Sequence, residues 1–250
     1  MTAGHADIGV LVTRPAGLAG PLCRRIESLG WKAIRFPAVE IVPLDRAGPW
    51  LEADYDFLVF ISRNAVIEGL PFIQGNNPNL QIAAVGKGTA EELEQRGRKA
   101  HVIPSSRWDS EGLLAHPELN AVAGKRVLIL RGEGGRALLG DELAGRGAKV
   151  EYGEVYRRVR PVADTASLTK VWPEQIQLVI ATSNEILGNL AAMLGVAALP
   201  LLQTTPLLVV SERGRAYAHS LGCEQVILAR GAGEEALVSA MLQWSESANL

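Results

Sequence analysis

Cysteine is nearly missing: Cys23 and Cys223 are the only two in 250 residues. Neither belongs to a CxxC pair or has a histidine beside it, so neither a disulfide framework nor a thiolate cage is expected, and a reducing compartment is the default. Histidine is just as sparse. His5, His101, His116 and His219 are scattered without HxH, HxxE or HExxH spacing, which gives a metal no cluster to occupy. A net charge of −2 supplies no basic field that would recruit nucleic acid. The opening Met-Thr-Ala-Gly-His-Ala-Asp lacks the basic and apolar regions of a signal peptide. No apolar run approaches the ~20 residues of a membrane span. The expectation is a cytoplasmic protein with no nucleic-acid or membrane partner. Apolar content of 48% and charge of 21% are ordinary for such a chain, whose length allows one large domain or two small ones.

The chain is organised around Asp56-Phe57-Leu58-Val59-Phe60-Ile61-Ser62-Arg63-Asn64-Ala65-Val66. Its unbroken apolar run suits a parallel strand covered on both faces, since a half-exposed strand would alternate. Ser62 and Asn64 are both good helix N-caps, able to accept orphan amide hydrogens of a first turn. The same corner recurs at Gln177-Leu178-Val179-Ile180-Ala181-Thr182-Ser183-Asn184.

Taken in order, Ile8–Thr13 reads as a strand, Leu18, Leu22, Ile26 and Leu29 as one face of a helix, and Lys32–Phe36 as a second strand. Pro37–Pro43 continues it as an extended segment. After the organising corner comes a strand over Ile82–Val85, then Gly86-Lys87-Gly88-Thr89, where Thr89 with Glu92 fits a capping box. His101–Ile103 reads as a strand and Ser110–Ala115 as a short helix. The pattern then restarts: a strand over Arg126–Leu130, a glycine-rich turn, a helix to about Arg146, and a strand over Ala148–Tyr152 that continues to Val159. Strands over Leu207–Val210 and Val226–Leu228 and a helix over Glu234–Trp244 complete it. Val10, Phe57, Val85 and His101 align with Val127, Leu178, Val210 and Gln225, at offsets of 117, 121, 125 and 124 that drift only by loop-sized amounts. Strand and helix alternating in this way predict two doubly wound parallel-sheet α/β domains of the flavodoxin or Rossmann kind. Such sheets bind ligands at the carboxyl ends of their strands.

Two chemistries are open at that edge. Gly132-Glu133-Gly134-Gly135-Arg136-Ala137 matches G-x-G-x-x-A after a strand, and Glu151 follows Gly132 by nineteen positions, where a ribose-binding acid would stand. An NAD(P)-dependent oxidoreductase is therefore one reading, although the matching corner Arg14-Pro15-Ala16-Gly17 has no such glycines. The other reading is collective. Arg14, Ser62, Asn64, Lys87, Thr89, Arg131, Gly132, Ser183, Asn184 and Ser211 put helix starts, hydroxyls and cations at one edge of each half, which suits a large polyanion. Singly, each is also what a cap or a surface cation would look like. Ser62 and Ser183 are in no G-x-S-x-G elbow, so they read as caps before nucleophiles. Tyr156 reads either as an edge-strand aromatic or as a functional group. A two-domain binding protein without chemistry is a third possibility.

Six segments in register then point one way. Val-Leu-Val-Thr-Arg-Pro at 10–15, Phe-Pro-Ala-Val-Glu-Ile at 36–41, Ile-Ser-Arg-Asn-Ala-Val at 61–66, Ala-Val-Gly-Lys-Gly-Thr-Ala at 84–90, Leu-Arg-Gly-Glu-Gly-Gly-Arg at 130–136 and Glu-Val-Tyr-Arg at 154–157 resemble uroporphyrinogen-III synthase. The resemblance implies a cofactor-free cyclising lyase of haem biosynthesis. Such an enzyme closes hydroxymethylbilane, a linear tetrapyrrole polycarboxylate, into uroporphyrinogen III and inverts ring D through a spiro intermediate. It implies a cytoplasmic monomer making at most transient contact with the preceding pathway enzyme. It also implies a discontinuous first domain of residues 1–36 and 162–250, a second of 45–153, and linkers 37–44 and 154–161. By the same resemblance Tyr156 is the catalytic tyrosine and Ser62, Thr89 and Ser183 are substrate-binding hydroxyls. The second-half turn departs from the family pattern, reading Val210-Ser211-Glu212-Arg213-Gly214, where Ser211 is the nearest hydroxyl.

Overall fold

The computed structural model describes residues 8–44, 54–73 and 78–248; the N-terminal heptapeptide and His5 lie outside them. In chain order the strands are β1 (Gly9–Val12), β2 (Lys32–Arg35), β3 (Glu40–Pro43), β4 (Phe57–Phe60), β5 (Gln81–Ala84), β6 (Arg126–Gly132), β7 (Lys149–Val159), β8 (Leu178–Ala181), β9 (Leu207–Val209) and β10 (Val226–Leu228). The α-helices are α1 (Ala16–Ser28), α2 (Arg63–Gly69), α3 (Lys87–Gln95), α4 (Ser110–Leu114), α5 (Leu138–Gly145), α6 (Thr165–Gln175), α7 (Asn184–Thr204), α8 (Glu212–Ser220) and α9 (Glu234–Ser247). The chain divides into two compact units, Met1–Glu40 with Val159–Leu250, and Ile41–Arg158.

The first unit carries the sheet β10-β9-β8-β1-β2, in which every neighbouring pair is parallel. Numbered within the unit this is the doubly wound order 2-1-3-4-5, whose direction reverses between β1 and β8. Val10, Val12 and Ile180 on one face pack with Leu22 and Ile26 of α1 and Met241 and Trp244 of α9. Trp31 meets Trp244 edge to face, with centroids 6.4 Å apart.

The second unit carries the sheet β3-β7-β6-β4-β5, and the reversal falls between β4 and β6. All four residues of β4 are buried, but they divide between two cores. Phe57 and Val59 join the cluster containing Leu113 of α4 and Leu143 of α5. Leu58 and Phe60 join the cluster containing Val66 of α2 and Leu93 of α3. Each buried Leu, Val or Phe contributes roughly 1.5–3 kcal/mol, and only a strand covered on both faces collects this at every position.

The two extended segments expected as linkers, 37–44 and 154–161, each include residues of a sheet strand. β3 forms one edge of the second unit's sheet, where the Leu44 amide donates to the Val155 carbonyl at 2.9 Å, and β7 runs unbroken to Val159. Two local readings are corrected. The α3 cap is Gly86, in extended conformation, so Thr89 lies inside the helix and is buried, while Glu92 pairs with Arg96 at 2.7 Å; the capping box does not form. Val102 makes a single parallel bridge to Ala83 in place of a strand over His101–Ile103. Separately, α7 is 21 residues long and its most apolar 18-residue window has a mean hydropathy of 1.7, enough to cross a membrane by length and composition, although Asn184, Glu185, Asn189 and Gln203 leave no unbroken apolar run of that length. Gly195 sits in α7 at φ 65° and ψ 180°, so the segment is two shorter helices joined at a break. Only glycine adopts that conformation without strain, and the break interrupts the internal hydrogen bonding a spanning helix needs.

Candidate active site

In the second unit the carboxyl edge is built from the ends of β4, β6 and β7. Ser62, at φ −159° and ψ 164°, ends the extended stretch and caps α2, its Oγ accepting from the Ala65 amide at 3.1 Å. Asn64 is therefore the second residue of α2 and not its cap. The Ser62 Oγ also stands 3.0 Å from the Tyr156 Oη, so the two hydroxyls share a hydrogen bond.

A β-bulge aims Tyr156 at this point. Along β6 and β7 the register runs from Arg131 opposite Glu154 to Gly132 opposite Tyr156, leaving Val155 as the extra residue. Without the bulge, alternation would send consecutive side chains to opposite faces; with it, Val155 and Tyr156 are both buried in the core that contains Phe60 and Leu130. The Tyr156 carbonyl accepts from the Glu133 amide at 2.8 Å, which fixes the strand just at that residue. Gly132 supplies the space: a β-carbon there would fall 2.6 Å from the tyrosine Cε2.

Arg131 organises the glycine-rich turn. Its Nη2 donates to the Glu154 Oε1 at 3.0 Å, its Nη1 donates to the Gly135 carbonyl at 3.0 Å, and its guanidinium lies 3.8 Å from the Tyr152 ring centroid. Elsewhere on this edge Arg63 lies over Gly88, its Nε donating to the Gly88 carbonyl at 3.2 Å, and its Nη2 reaches Glu91 at 3.5 Å. Lys87 is exposed, with Glu91 at 3.9 Å.

The dinucleotide reading of the Gly132 turn fails on two counts. Gly132 is the last residue of β6 and α5 begins only at Leu138, so the glycines are not at a helix start that could face a pyrophosphate. Glu151 lies near the amino end of β7, opposite Leu128, where it accepts from Arg126 at 2.8 Å and from the Tyr55 hydroxyl at 3.0 Å.

Three perturbed titrations share that amino end. Arg126 holds the Glu151 carboxyl below its usual range, and burial together with Glu151 pushes Tyr55 up to about 12. The Arg126 backbone amide, with Lys125, holds Asp56 below its usual range. Such shifts often mark active sites. Here the causes are structural: an ion pair with Arg126 for Glu151, burial for Tyr55 and a backbone amide for Asp56, at the opposite end of the strands from Tyr156.

In the first unit Ser183 and Ser211 repeat the Ser62 cap in nearly the same backbone conformation, accepting from Ile186 at 3.2 Å and Gly214 at 3.1 Å. Both are exposed, at the starts of α7 and α8. Asn184 follows at the first position of α7, half-buried. Arg14 is buried; its Nη1 pairs with Glu234 at 3.0 Å and its Nη2 donates to the Ala232 carbonyl, which ties the end of β1 to the start of α9. Among the described residues no group of three His, Cys, Asp or Glu side chains is placed to hold a metal ion.

Reading the sequence missed Glu154 as the partner of Arg131, and the bulge at Val155. The signal for the bulge was present: two adjacent apolar residues break the strand's alternation at Val155-Tyr156.

Residues 21–239 match the family model described as Uroporphyrinogen-III synthase HemD. The chain is 35% identical to the uroporphyrinogen-III synthase of Escherichia coli (strain K12), over 94% of this chain and 100% of that one. It is 34% identical to that of Salmonella typhimurium, again over 94% and 100%. Among solved structures it resembles uroporphyrinogen-III synthetase from Helicobacter pylori, with a TM-score of 0.63 at 16% identity over 95% and 99% of the two chains. A mutant uroporphyrinogen III synthase from Thermus thermophilus gives a TM-score of 0.57 at 16% identity, over 97% and 99%. These two likenesses concern the fold, two-domain α/β; the sequence relatives carry the rest. The chain belongs to the uroporphyrinogen-III synthase family, cyclising lyases of tetrapyrrole biosynthesis.

Proposed function

We propose that this chain closes hydroxymethylbilane into uroporphyrinogen III with inversion of ring D, and that the Ser62–Tyr156 edge is where the substrate's hydroxyl departs. The observation that carries the reading is family membership over residues 21–239, joined to a hydroxyl pair at the switch point of the second sheet. The substrate loses its hydroxyl readily to give an azafulvene, so strong acid catalysis is unnecessary. What the protein must do is fold the chain so that the substituted carbon of ring D attacks first. The spiro species must then be held while it fragments and recloses, which is a task of positioning and electrostatic stabilisation. Tyr156 assists departure of the hydroxyl. Each unit offers its own anion-binding groups for carboxylates: first-turn amides of α3 beside Lys87 and Thr89 in the second unit, and first-turn amides of α7 and α8 beside Ser183, Asn184 and Ser211 in the first. In the second unit Asn64, Arg131 and Gly132 complete the edge. In this reading segments 37–44 and 154–161 join domain 45–153 to the domain of 1–36 and 162–250, which the division of the chain at 40/41 and 158/159 supports. The enzyme acts as a cytoplasmic monomer in transient contact with the enzyme that supplies its unstable substrate.

The test is the isomer formed. Mixed with hydroxymethylbilane, the protein yields the type III product, against the type I isomer that forms spontaneously. Type I product alone would overturn the reading.

A further inference from the structure

We propose that Ser62 and Tyr156 work as a single two-hydroxyl relay, in which Ser62 meets the departing hydroxyl and Tyr156 stands behind it as the proton source. The inference rests on the assignment above and reverses the order in which the two side chains face the substrate. Exposure is the first reason: Tyr156 is only 3% exposed, whereas Ser62 is half-buried at the rim. Immobility is the second. The tyrosine ring is seated on Gly132, which has no room for even a β-carbon, and its backbone is bonded to Glu133 at 2.8 Å. Turning the phenol outward would give up its seat on Gly132 and its place in the core with Phe60 and Leu130.

Valence supplies the third reason. A serine hydroxyl has one proton and two lone pairs. The Ala65 amide occupies one lone pair of the Ser62 Oγ, at 3.1 Å. When Tyr156 donates across the 3.0 Å contact it occupies the other. The one hydrogen left on Ser62 is then the group presented at the rim, and two donors pulling on its oxygen make it a better donor.

The step balances within substrate and protein. The carbon–oxygen bond of the hydroxymethyl group breaks, the departing oxygen takes the Ser62 proton and leaves as water, and Ser62 takes the Tyr156 proton. A phenolate is left facing an azafulvenium cation. When the free α-carbon of ring D finally closes the macrocycle it loses its proton, which returns through Ser62 to the phenolate. No oxidant, metal or added base is consumed.

The test compares the full-length wild type with Ser62→Gly, Tyr156→Phe and the double variant, following type III formation from hydroxymethylbilane. Glycine is nearly as good as serine at a cap position, so Ser62→Gly removes the hydroxyl and spares the helix. If Ser62→Gly fails to fold, Ser62→Asp keeps the cap, donates nothing and takes its place. Each single change is expected to lower kcat by up to ~10²-fold, the low end for one acid–base group. The double variant is expected to fall no further than the slower single, because groups acting as a unit are not additive. Ser62→Thr recovers most of the loss, and a solvent-isotope proton inventory on the wild type curves, reporting two protons in flight. Factors that multiply in the double variant, or a Ser62→Gly enzyme as fast as wild type while Tyr156→Phe is slow, would overturn the relay. Both results would leave the isomer assignment standing, which fails only if the wild type makes type I alone.

Discussion

Tyr156 lies against Gly132 so closely that a β-carbon on the glycine would fall 2.6 Å from the ring's Cε2 and 2.7 Å from its Cζ. The glycine in a motif that looks like a phosphate-binding turn is thus a seat for an aromatic ring. Gly132→Ala must push the ring aside, and the ring carries the hydroxyl that reaches Ser62. Overpacking of this kind costs about 1–3 kcal/mol. The expected outcome is a lower melting temperature and a rate close to that of Tyr156→Phe, measured by calorimetry and by type III formation. An alanine variant with wild-type rate would show that the ring's placement does not matter.

Arg131 makes three different contacts at once: a pair with Glu154, a bond to the Gly135 carbonyl and stacking on Tyr152. Only a planar guanidinium satisfies all three, so lysine is not a conservative replacement. Its side chain is 13% exposed, which keeps solvent from weakening the pair with Glu154. Arg131→Lys is expected to cost about 1.5–3 kcal/mol, the range for hydrogen bonds to charged groups. It is also expected to make the turn after β6 more sensitive to limited proteolysis. KM should rise more than kcat falls, because the turn shapes the edge without touching the Ser62 hydroxyl.

The pH dependence of stability has a local source in Asp56. Its carboxylate accepts from the Arg126 amide and from Lys125, each at 2.9 Å, and the amide is the larger cause of its lowered pKa. A carboxyl held low in the folded state contributes stability that is complete above its unfolded value, about 4, and is lost as pH falls through the folded value. The stability difference between wild type and Asp56→Asn should therefore be largest near neutrality and shrink below about pH 4. Urea midpoints at a series of pH values measure it, and a difference that stays constant would remove Asp56 as the cause. Because the side chain is 38% exposed, solvent screening keeps the effect small.

How much of this was legible beforehand depended on whether the deciding interaction was local. The apolar run of β4 and the serines after β4, β8 and β9 could be read directly, because burial on both faces and N-capping each depend on a few adjacent residues. Thr89 misled because a capping box needs the chain to turn at the threonine. Here the turn comes three residues earlier at Gly86, whose extended backbone begins the helix without any side-chain bond. Asn64 misled for a related reason: two capping residues so close together leave open which one ends the strand. The pairing of Arg131 with Glu154 spans 23 positions and exists only because a bulge sets the register, so no short window contains it. The break in α7 was hidden by composition, since Gly195 sits in a run that otherwise suits a helix and a single glycine inside such a run does not by itself end one.

Arg14 separates a structural role from a substrate role. The sequence places a cation at the end of β1, where a substrate carboxylate could be met, yet its guanidinium is bonded to Glu234 and to the Ala232 carbonyl. The side chains are 10% and 24% exposed, so the pair is largely out of water. Removing one member of such a pair takes a charge partner from the other, at a cost on the order of 3 kcal/mol. If the role is structural, Arg14→Ala and Glu234→Gln both lower the melting temperature, and KM at a temperature where both are folded stays near wild type. If Arg14 serves the substrate instead, Arg14→Ala raises KM with little change in melting. Glu234→Gln then lowers KM, because the Arg14 guanidinium has lost a competitor for the substrate. The opposite signs in KM for the two variants make the experiment decisive, and the buried geometry favours the structural outcome.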